Sequence, residues 1–207
     1  MPPTVYYINL LRRADRRAQV EGELARLGWP AVRVDAVDVP ERGALGCARS
    51  HALALRAFLA SSSPPPHEGS EVADYCVIAE DDVAFVRDPR PDLARFLADF
   101  GAEWDVCMLA SNTKVELHVT GRPYVTRVLN AQTTACYAVT RAFAPTLLAA
   151  FEESAARLAE AWSVASCCDI LWKRLQPRAR WYCLHPRPAL QRESFSDIEG
   201  RVTSYGV

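Results

Sequence analysis

The chain has 207 residues, of which half are apolar and 24% are charged, and its formal net charge is -1. This composition is typical of a globular domain with its own core, so we expect a single domain over residues 1–207. The near-neutral charge excludes the basic surface that a nucleic-acid-binding protein needs. Because we find no apolar stretch of about 18 residues and no signal-peptide core, we expect a cytoplasmic protein with at most peripheral membrane contact.

Seven cysteines lie mostly within apolar stretches, and their odd number favours buried, reduced thiols over disulfides. Cys167 and Cys168 are the only close pair in the sequence. Zinc sites are usually built from two ligand clusters with short internal spacing. The spacing therefore argues against a zinc site.

The first predicted strand covers residues 4–10 and is followed by arginines at positions 12, 13, 16 and 17 and by a helix that ends at Gly28. Ligands of open α/β sheets bind at the carboxyl ends of the strands, where a basic loop can bind phosphate oxygens. For any one of these arginines, a solvated helix start is the simpler explanation.

A second short strand begins at Ala31 and leads into a turn that contains Asp35 and Asp38. The helix that follows carries Ser50 and His51 in its first turns. A histidine in such a position is more often structural than catalytic. Residues 61–72 are rich in Ser and Pro and are predicted to form a surface loop.

Three consecutive acids, Glu80, Asp81 and Asp82, directly follow an apolar run over residues 75–79. The run predicts a buried strand whose carboxyl end presents the three carboxylates. Because burying unpaired charges is costly, we expect them to face water, a cation or a metal ion. The triplet alone leaves open a solvated acidic turn and a site for a hard divalent cation.

The second half of the chain adds further strands and helices. We predict a helix over 89–100, a strand over 104–109, a hairpin of 114–119 with 123–128, a strand over 134–139 and a helix over 143–160. The alternation of strands and helices predicts an α/β fold, with a mostly parallel, Rossmann-like sheet flanked by helices and an antiparallel hairpin insertion.

A late helix over 166–175 places Asp169 near its N-terminus, where the helix dipole would keep the carboxylate ionised. A last strand over 180–184 precedes a tail over 186–207, which we expect to cover the site. Arginines after the first strand and acids after the third suggest a nucleoside diphosphate bridged by Mg²⁺ or Mn²⁺. No Walker loop or Gly-x-Gly-x-x-Gly pattern is present, which excludes the P-loop and dinucleotide-binding classes.

The order of several motifs resembles glycosyltransferase family 25, which includes lipooligosaccharide and collagen galactosyltransferases. The matching motifs are Ile8-Asn9-Leu10 with the arginines that follow, Gly46-Cys47-x-x-Ser50-His51, Glu80-Asp81-Asp82, and the closing segment from Gln191 to Ser196-Asp197-Ile198. The resemblance implies a GT-A fold and transfer of galactose or glucose, with inversion, from a UDP-sugar. The acceptor would be a hydroxyl group on a glycan or a protein.

The resemblance also implies roles for residues in binding the donor. Asp82 would be the direct ligand of Mn²⁺ or Mg²⁺, and Glu80 would be its partner or a ribose contact. The residues implied to lie along the nucleotide and its phosphates are Asn9, Arg12, Arg13, Ser50 and Asp81, with Asp35 or Asp38 beside the base and Gln191 in a tail over the donor.

For catalysis, the resemblance implies Asp169 as the base that takes the proton of the acceptor hydroxyl, and a helix N-cap is the alternative role. His51 would either contact the donor sugar or hold the Ser50 loop in shape. Two other functions stay open: a metal-dependent nucleotidyltransferase or phosphohydrolase, and a sugar-nucleotide-binding module without catalysis. The intact acid triplet argues against the second of these.

Overall fold

The computed structural model describes residues 2–62, 74–196 and 201–203, with backbone alone described for residues 194–196 and 201–203. The strands, in chain order, are β1 (Val5–Asn9), β2 (Ala31–Asp35), β3 (Tyr75–Glu80), β4 (Val83–Phe85), β5 (Val106–His118), β6 (Val125–Thr140), β7 (Trp181–Leu184), β8 (Ala189–Gln191), β9 (Ser194–Ser196) and β10 (Arg201–Thr203). The helices are α1 (Ala14–Leu27), α2 (Gly43–Ala60), α3 (Arg90–Phe100), α4 (Ala144–Glu160) and α5 (Cys168–Leu171).

The central sheet has the strand order β2-β1-β3-β6-β5-β7. β1 runs parallel to both β2 and β3, and β5 runs parallel to β7. β6 is antiparallel to both β3 and β5, so it alone opposes the common direction of this sheet. The predicted α/β class with a mostly parallel sheet is confirmed. The carboxyl ends of β1, β2 and β3 consequently meet at one edge.

Two hydrophobic cores cover the two faces of the sheet. Along β1, Tyr6 and Ile8 join the core that includes α2 and α4, whereas Val5 and Tyr7 join the core that includes α1 and α3. This alternation follows from the two-residue period of a strand. Because both faces are covered, the strands read as continuous apolar runs, as expected for a sheet packed between helices.

The predicted division of residues 104–139 into four strands is wrong. β5 and β6 instead run without a break from the sheet into the hairpin. Their register shifts at several points, including between Met108 and Ala110 and between Thr113 and Val115. These irregularities put extra residues into one strand or the other and interrupt the alternation of apolar and polar side chains, which makes one bent strand look like two in the sequence.

The prediction of one late helix over 166–175 is also wrong. The structure has the four-residue α5 between short 3-10 turns at Val164–Ser166 and Trp172–Arg174. All seven cysteines are free thiols, as expected. The predicted loop over 61–72 lies almost entirely outside the described residues. Within the described ranges, no helix has the length and apolar character needed to cross a bilayer.

Candidate functional site

A cavity of about 240 Å³ opens at the edge where the first three strands end. Its floor carries Glu80, Asp81 and Asp82, and the loop between β2 and α2 forms one wall. β8 pairs antiparallel with β4, with Val83 opposite Gln191, and this pairing brings Gln191 to the cavity. Gln191 of the predicted tail therefore lines the cavity, whereas Asp197 and Ile198 lie outside the described residues.

Arg16 neutralises much of the negative charge of the acid triplet. Asp81 and Asp82 are only 7% and 5% exposed, so they do not form a solvated turn. Nη1 of Arg16 lies 3.0 Å from Asp81 Oδ1 and 3.3 Å from Asp82 Oδ2. Sequence reasoning chose Arg12 and Arg13 as the ligand-facing arginines and missed Arg16. Since α1 begins at Ala14, its first turn carries Arg16 back over the sheet edge.

Asp81 is held by the residues that surround it. Nδ2 of Asn9 donates to Asp81 Oδ2 at 2.8 Å and to the carbonyl oxygen of Arg13 at 3.0 Å. Oδ1 of Asn9 accepts a hydrogen bond from Arg33 at 3.2 Å. Burial raises the pKa of Asp81, although Asn9 and Arg16 act in the opposite direction. Asn9 therefore holds Asp81 in place within the floor of the cavity.

Asp82 has two carboxylate oxygens in different environments. Oδ2 accepts a hydrogen bond from Nε2 of Gln191 at 3.1 Å and lies near Arg16. Oδ1 is buried and has no hydrogen-bond partner among the described residues. Burial and the charge of Glu80 raise the pKa of Asp82 to about 7, against the lowering effect of Arg16. One oxygen is thus anchored, and the other is left for a ligand.

Glu80 is anchored by two side chains. Oε1 accepts a hydrogen bond from the hydroxyl of Thr134 at 2.6 Å and lies 3.3 Å from Nε2 of His51. Nδ1 of His51 lies 3.1 Å from the Tyr137 hydroxyl. Burial alone would raise the pKa of Glu80, but His51 and Thr134 lower it overall. His51 is fully buried, with its two nitrogens next to Tyr137 and Glu80, so it positions the Glu80 carboxylate.

Ser50 and Gly46 shape the wall of the cavity. The hydroxyl of Ser50 accepts a hydrogen bond from the amide of Val37 at 2.8 Å and donates one to the carbonyl oxygen of Gly46 at 2.6 Å. A Cβ at position 46 would lie 2.5 Å from the Val37 carbonyl oxygen. The glycine and the serine therefore let α2 approach the loop after β2 closely and hold it there.

Some of the remaining residues expected along the nucleotide line the cavity, and others lie outside it. Arg12 lies at the rim, where its Nε is 2.9 Å from Asp38 Oδ2, and both residues line the cavity. Arg13 pairs with Asp15 at 2.9 Å and borders a neighbouring hollow. Asp35 pairs with Arg33 and does not line the cavity. Of the two acids expected beside a base, the structure brings Asp38 to the site.

Asp169 lies beside the cavity and not in its lining. Its Oδ2 accepts a long hydrogen bond of 3.4 Å from the amide of Thr133, a residue held at a positive φ of 77°. Burial raises the pKa of Asp169, and the charge of Glu80 adds to the rise. A lowering of this pKa by a helix dipole, as the sequence suggested, is not seen. α5 has only four residues, and desolvation outweighs its small dipole.

Comparison with known proteins shows the fold of the chain and leaves its family unassigned. No family model and no curated protein sequence matches the chain. A solved glycosyltransferase involved in the glycosylation of the major capsid of PBCV-1 superposes with a TM-score of 0.54 at 9% identity, over 96% of this chain and 98% of that one. A Drosophila β-1,4-galactosyltransferase 7 mutant, solved with manganese, UDP-Gal and xylobiose, gives a TM-score of 0.37 at 14% identity over 71% of this chain and 52% of its own. The first match shows a GT-A-type glycosyltransferase fold.

Proposed function

We propose that the protein is a metal-dependent hexosyltransferase that moves galactose or glucose, with inversion, from a UDP-sugar to an acceptor hydroxyl on a glycan or protein. The observation that carries the proposal is the carboxylate cluster at the carboxyl ends of the strands, in which Oδ1 of Asp82 is buried without a hydrogen-bond partner among the described residues. The fold shared with the PBCV-1 glycosyltransferase supports it. The motif resemblance to family 25 supports the choice of donor.

The residues at the floor fit a hard divalent cation. Oδ2 of Asp82 is fixed by Arg16 and Gln191, which leaves Oδ1 as a ligand atom. Glu80 is its partner, and Thr134 holds it in place. Mn²⁺ or Mg²⁺ commonly takes one or two protein carboxylates and completes its ligand set with phosphates, and when bound it supplies positive charge to a departing diphosphate.

The walls of the cavity suit the rest of a nucleotide. Ala36, Val37 and Val39 offer apolar surface to a base, and Asp38 can accept a hydrogen bond from it. At the rim, Arg12 is paired with Asp38 across a half-exposed contact, and a guanidinium there can reach phosphate oxygens. In this proposal the base side of the donor lies along the loop after β2 and the diphosphate lies above the acids.

Asp169 is the proposed base. A carboxylate whose pKa is raised by burial holds a proton more strongly than an exposed one, which suits proton removal near neutral pH. It takes the proton of the acceptor hydroxyl as the new bond to the anomeric carbon forms and the bond to the UDP oxygen breaks. His51, which touches Glu80, is assigned a positioning role in this scheme.

A donor-binding screen tests the proposal. Thermal unfolding is measured with UDP-galactose, UDP-glucose and other sugar nucleotides, in Mn²⁺ and in EDTA. We expect a UDP-hexose to raise the midpoint in Mn²⁺, and EDTA to abolish the shift. Asp82→Asn should lose the shift, and Asp88→Asn, which changes a carboxylate paired with Arg90 away from the cavity, should keep it.

The same screen separates the competing functions. If no sugar nucleotide stabilises the protein in Mn²⁺, the transferase proposal fails. Stabilisation by nucleoside triphosphates or phosphate esters, irrespective of any sugar group, would favour a nucleotidyltransferase or phosphohydrolase that uses the same carboxylates.

A further inference from the structure

Three metal-ligating side chains come together where α2 passes the end of β3, and a fourth, Cys168, lies next to one of them but outside this group. Cys47 and His51 lie four residues apart in α2, so they share one face of the helix. One ligand atom each from Cys47, His51 and Glu80 lies within 4.8 Å of the other two. Sγ of Cys168, from the start of α5, lies 3.8 Å from Sγ of Cys47.

Two of these distances match the edges of a tetrahedral zinc site. Zinc–sulfur bonds of about 2.3 Å place two tetrahedral sulfur ligands about 3.8 Å apart, and bonds of about 2.0–2.1 Å to nitrogen and oxygen place those atoms about 3.3 Å apart. The observed separation of the Cys47 and Cys168 sulfurs is 3.8 Å. The separation of His51 Nε2 and Glu80 Oε1 is 3.3 Å.

The types of ligand atom also indicate which metal ion would bind. Two sulfurs, one imidazole nitrogen and one carboxylate oxygen suit a borderline ion such as Zn²⁺, whereas Mg²⁺ and Mn²⁺ prefer oxygen. Cys47, His51 and Glu80 line the cavity, which gives an ion a path from solvent. Tyr137, next to Nδ1 of His51, orients the imidazole from its far side, as ligand-supporting groups do in zinc proteins.

We propose that Cys47, His51, Glu80 and Cys168 bind one Zn²⁺ ion. The site shares Glu80 with the carboxylate floor but does not include Asp82, and it does not depend on sugar transfer. Binding replaces the thiol protons with zinc–sulfur bonds and releases them to solvent. The ion would join α2, the end of β3 and the start of α5, three segments that enclose the floor of the cavity.

Cobalt substitution tests this site without an activity assay. The purified protein is stripped with a chelator, dialysed under reducing conditions and titrated with Co²⁺, which reports tetrahedral geometry through visible d–d bands and thiolate ligation through a near-ultraviolet charge-transfer band. We expect one Co²⁺ per chain, with both signals, and their loss when Zn²⁺ is added. Excess Mg²⁺ should leave them unchanged.

Matched serine variants assign the sulfur ligands. Cys47→Ser and Cys168→Ser should each lose charge-transfer intensity and bind zinc at least about tenfold more weakly. Cys167→Ser is the control, because this neighbouring half-buried thiol contacts the Ser163 carbonyl oxygen and not the cluster. A wild-type protein without the thiolate band would overturn the proposal, and this result needs no variant to fold. Full band intensity in either ligand variant would overturn it as well.

Discussion

The carboxylates of Asp81 and Asp82 are adjacent in the chain, yet their surroundings separate their roles. Asp81 accepts hydrogen bonds from Asn9 and Arg16, so both of its oxygens are engaged. Asp82 is anchored through Oδ2 alone. The apolar run before the acids was enough to predict that a buried strand ends at this point of the chain. Which arginine neutralises the acids depends on the direction in which each side chain leaves α1. The run of arginines in the sequence does not show that this residue is Arg16.

The raised pKa of Asp82 predicts an unusual pH dependence of stability. In the folded protein without metal, Asp82 keeps its proton to about pH 7, whereas its ordinary pKa is 3.8. Between pH 3.8 and about pH 7 the folded state therefore binds more protons than the unfolded state. For this reason Asp82 lowers the free energy of unfolding as the pH rises through this range. Asp82→Asn removes the titration, so in EDTA it should be more stable than wild type above pH 7, by about 4 kcal/mol, and similar to it near pH 4.

Urea unfolding at several pH values measures this difference. Asp88→Asn is the control, because Arg90 lowers the pKa of Asp88 and its stabilising effect should appear above pH 4 and disappear in acid. The account of Asp82 is contradicted if Asp82→Asn loses stability relative to wild type as the pH rises from 4 to 7.

Arg16 is expected to be essential for stability in the absence of metal. Arg16→Gln leaves two buried carboxylates without their ion pair and should lower the free energy of unfolding by about 3 kcal/mol, since breaking a buried pair strands its partner. Mn²⁺ should raise the melting temperature of this variant by more than that of wild type, because a bound cation replaces the lost charge.

Arg17→Gln is the matched control for this experiment. Its exposed i, i+4 pair with Glu21 should contribute less than about 1 kcal/mol. Equal stability of the Arg16 and Arg17 variants would show that Arg16 does not neutralise the acid cluster.

Asp169→Asn separates donor binding from the chemical step. The amide cannot take a proton, so transfer should fall by roughly 10²–10⁴-fold, while the dissociation constant for the donor in Mn²⁺ stays within about twofold. Calorimetric titration with the donor measures the dissociation constant, and a transfer assay on the same preparation measures the rate of transfer. Full transfer activity in the variant would remove Asp169 as the base.

Among the elements, α2 brings the largest set of residues to the site. Its first turns carry Gly46, Cys47, Ser50 and His51, which the sequence grouped as one motif. The spacing predicted that they lie together. Their partners, Val37, Glu80 and Cys168, come from other elements, so their roles in shaping the loop and placing Glu80 became visible only in the structure.

Gly46→Ala tests the close approach of α2 to the loop after β2. The added Cβ would meet backbone 2.5 Å away, so the helix or loop must shift, and we expect a loss of about 1–3 kcal/mol of stability together with weaker donor binding. Gly22→Ala in α1 is the control, because no atom lies within 4 Å of its Cβ position and alanine favours a helix by about 1 kcal/mol. A stabilised Gly46→Ala variant with unchanged donor binding would contradict this role.

For the whole molecule, the order of strands and helices was predictable because apolar runs and turn residues mark their ends clearly. The extent of β5 and β6 was not, since irregular register hides the continuity of a bent strand. Asn9 and Glu80 are 71 positions apart in the chain but end adjacent strands, so the parallel topology places them at one edge. A fold match at 9% identity over nearly both full lengths shows that this topology persists when little sequence is shared.

The proposed function is transfer of a sugar from a nucleotide donor bound in the cavity. The most direct measurement is turnover of UDP-galactose and UDP-glucose in Mn²⁺, with UDP release and the fate of the hexose followed together by mass spectrometry across a panel of glycan and peptide acceptors. The proposed function predicts one UDP released for each hexose transferred to an acceptor, and loss of both in EDTA and in Asp82→Asn. Nucleotide cleavage that yields no hexosylated product with any acceptor, or no turnover of any sugar nucleotide, would contradict it.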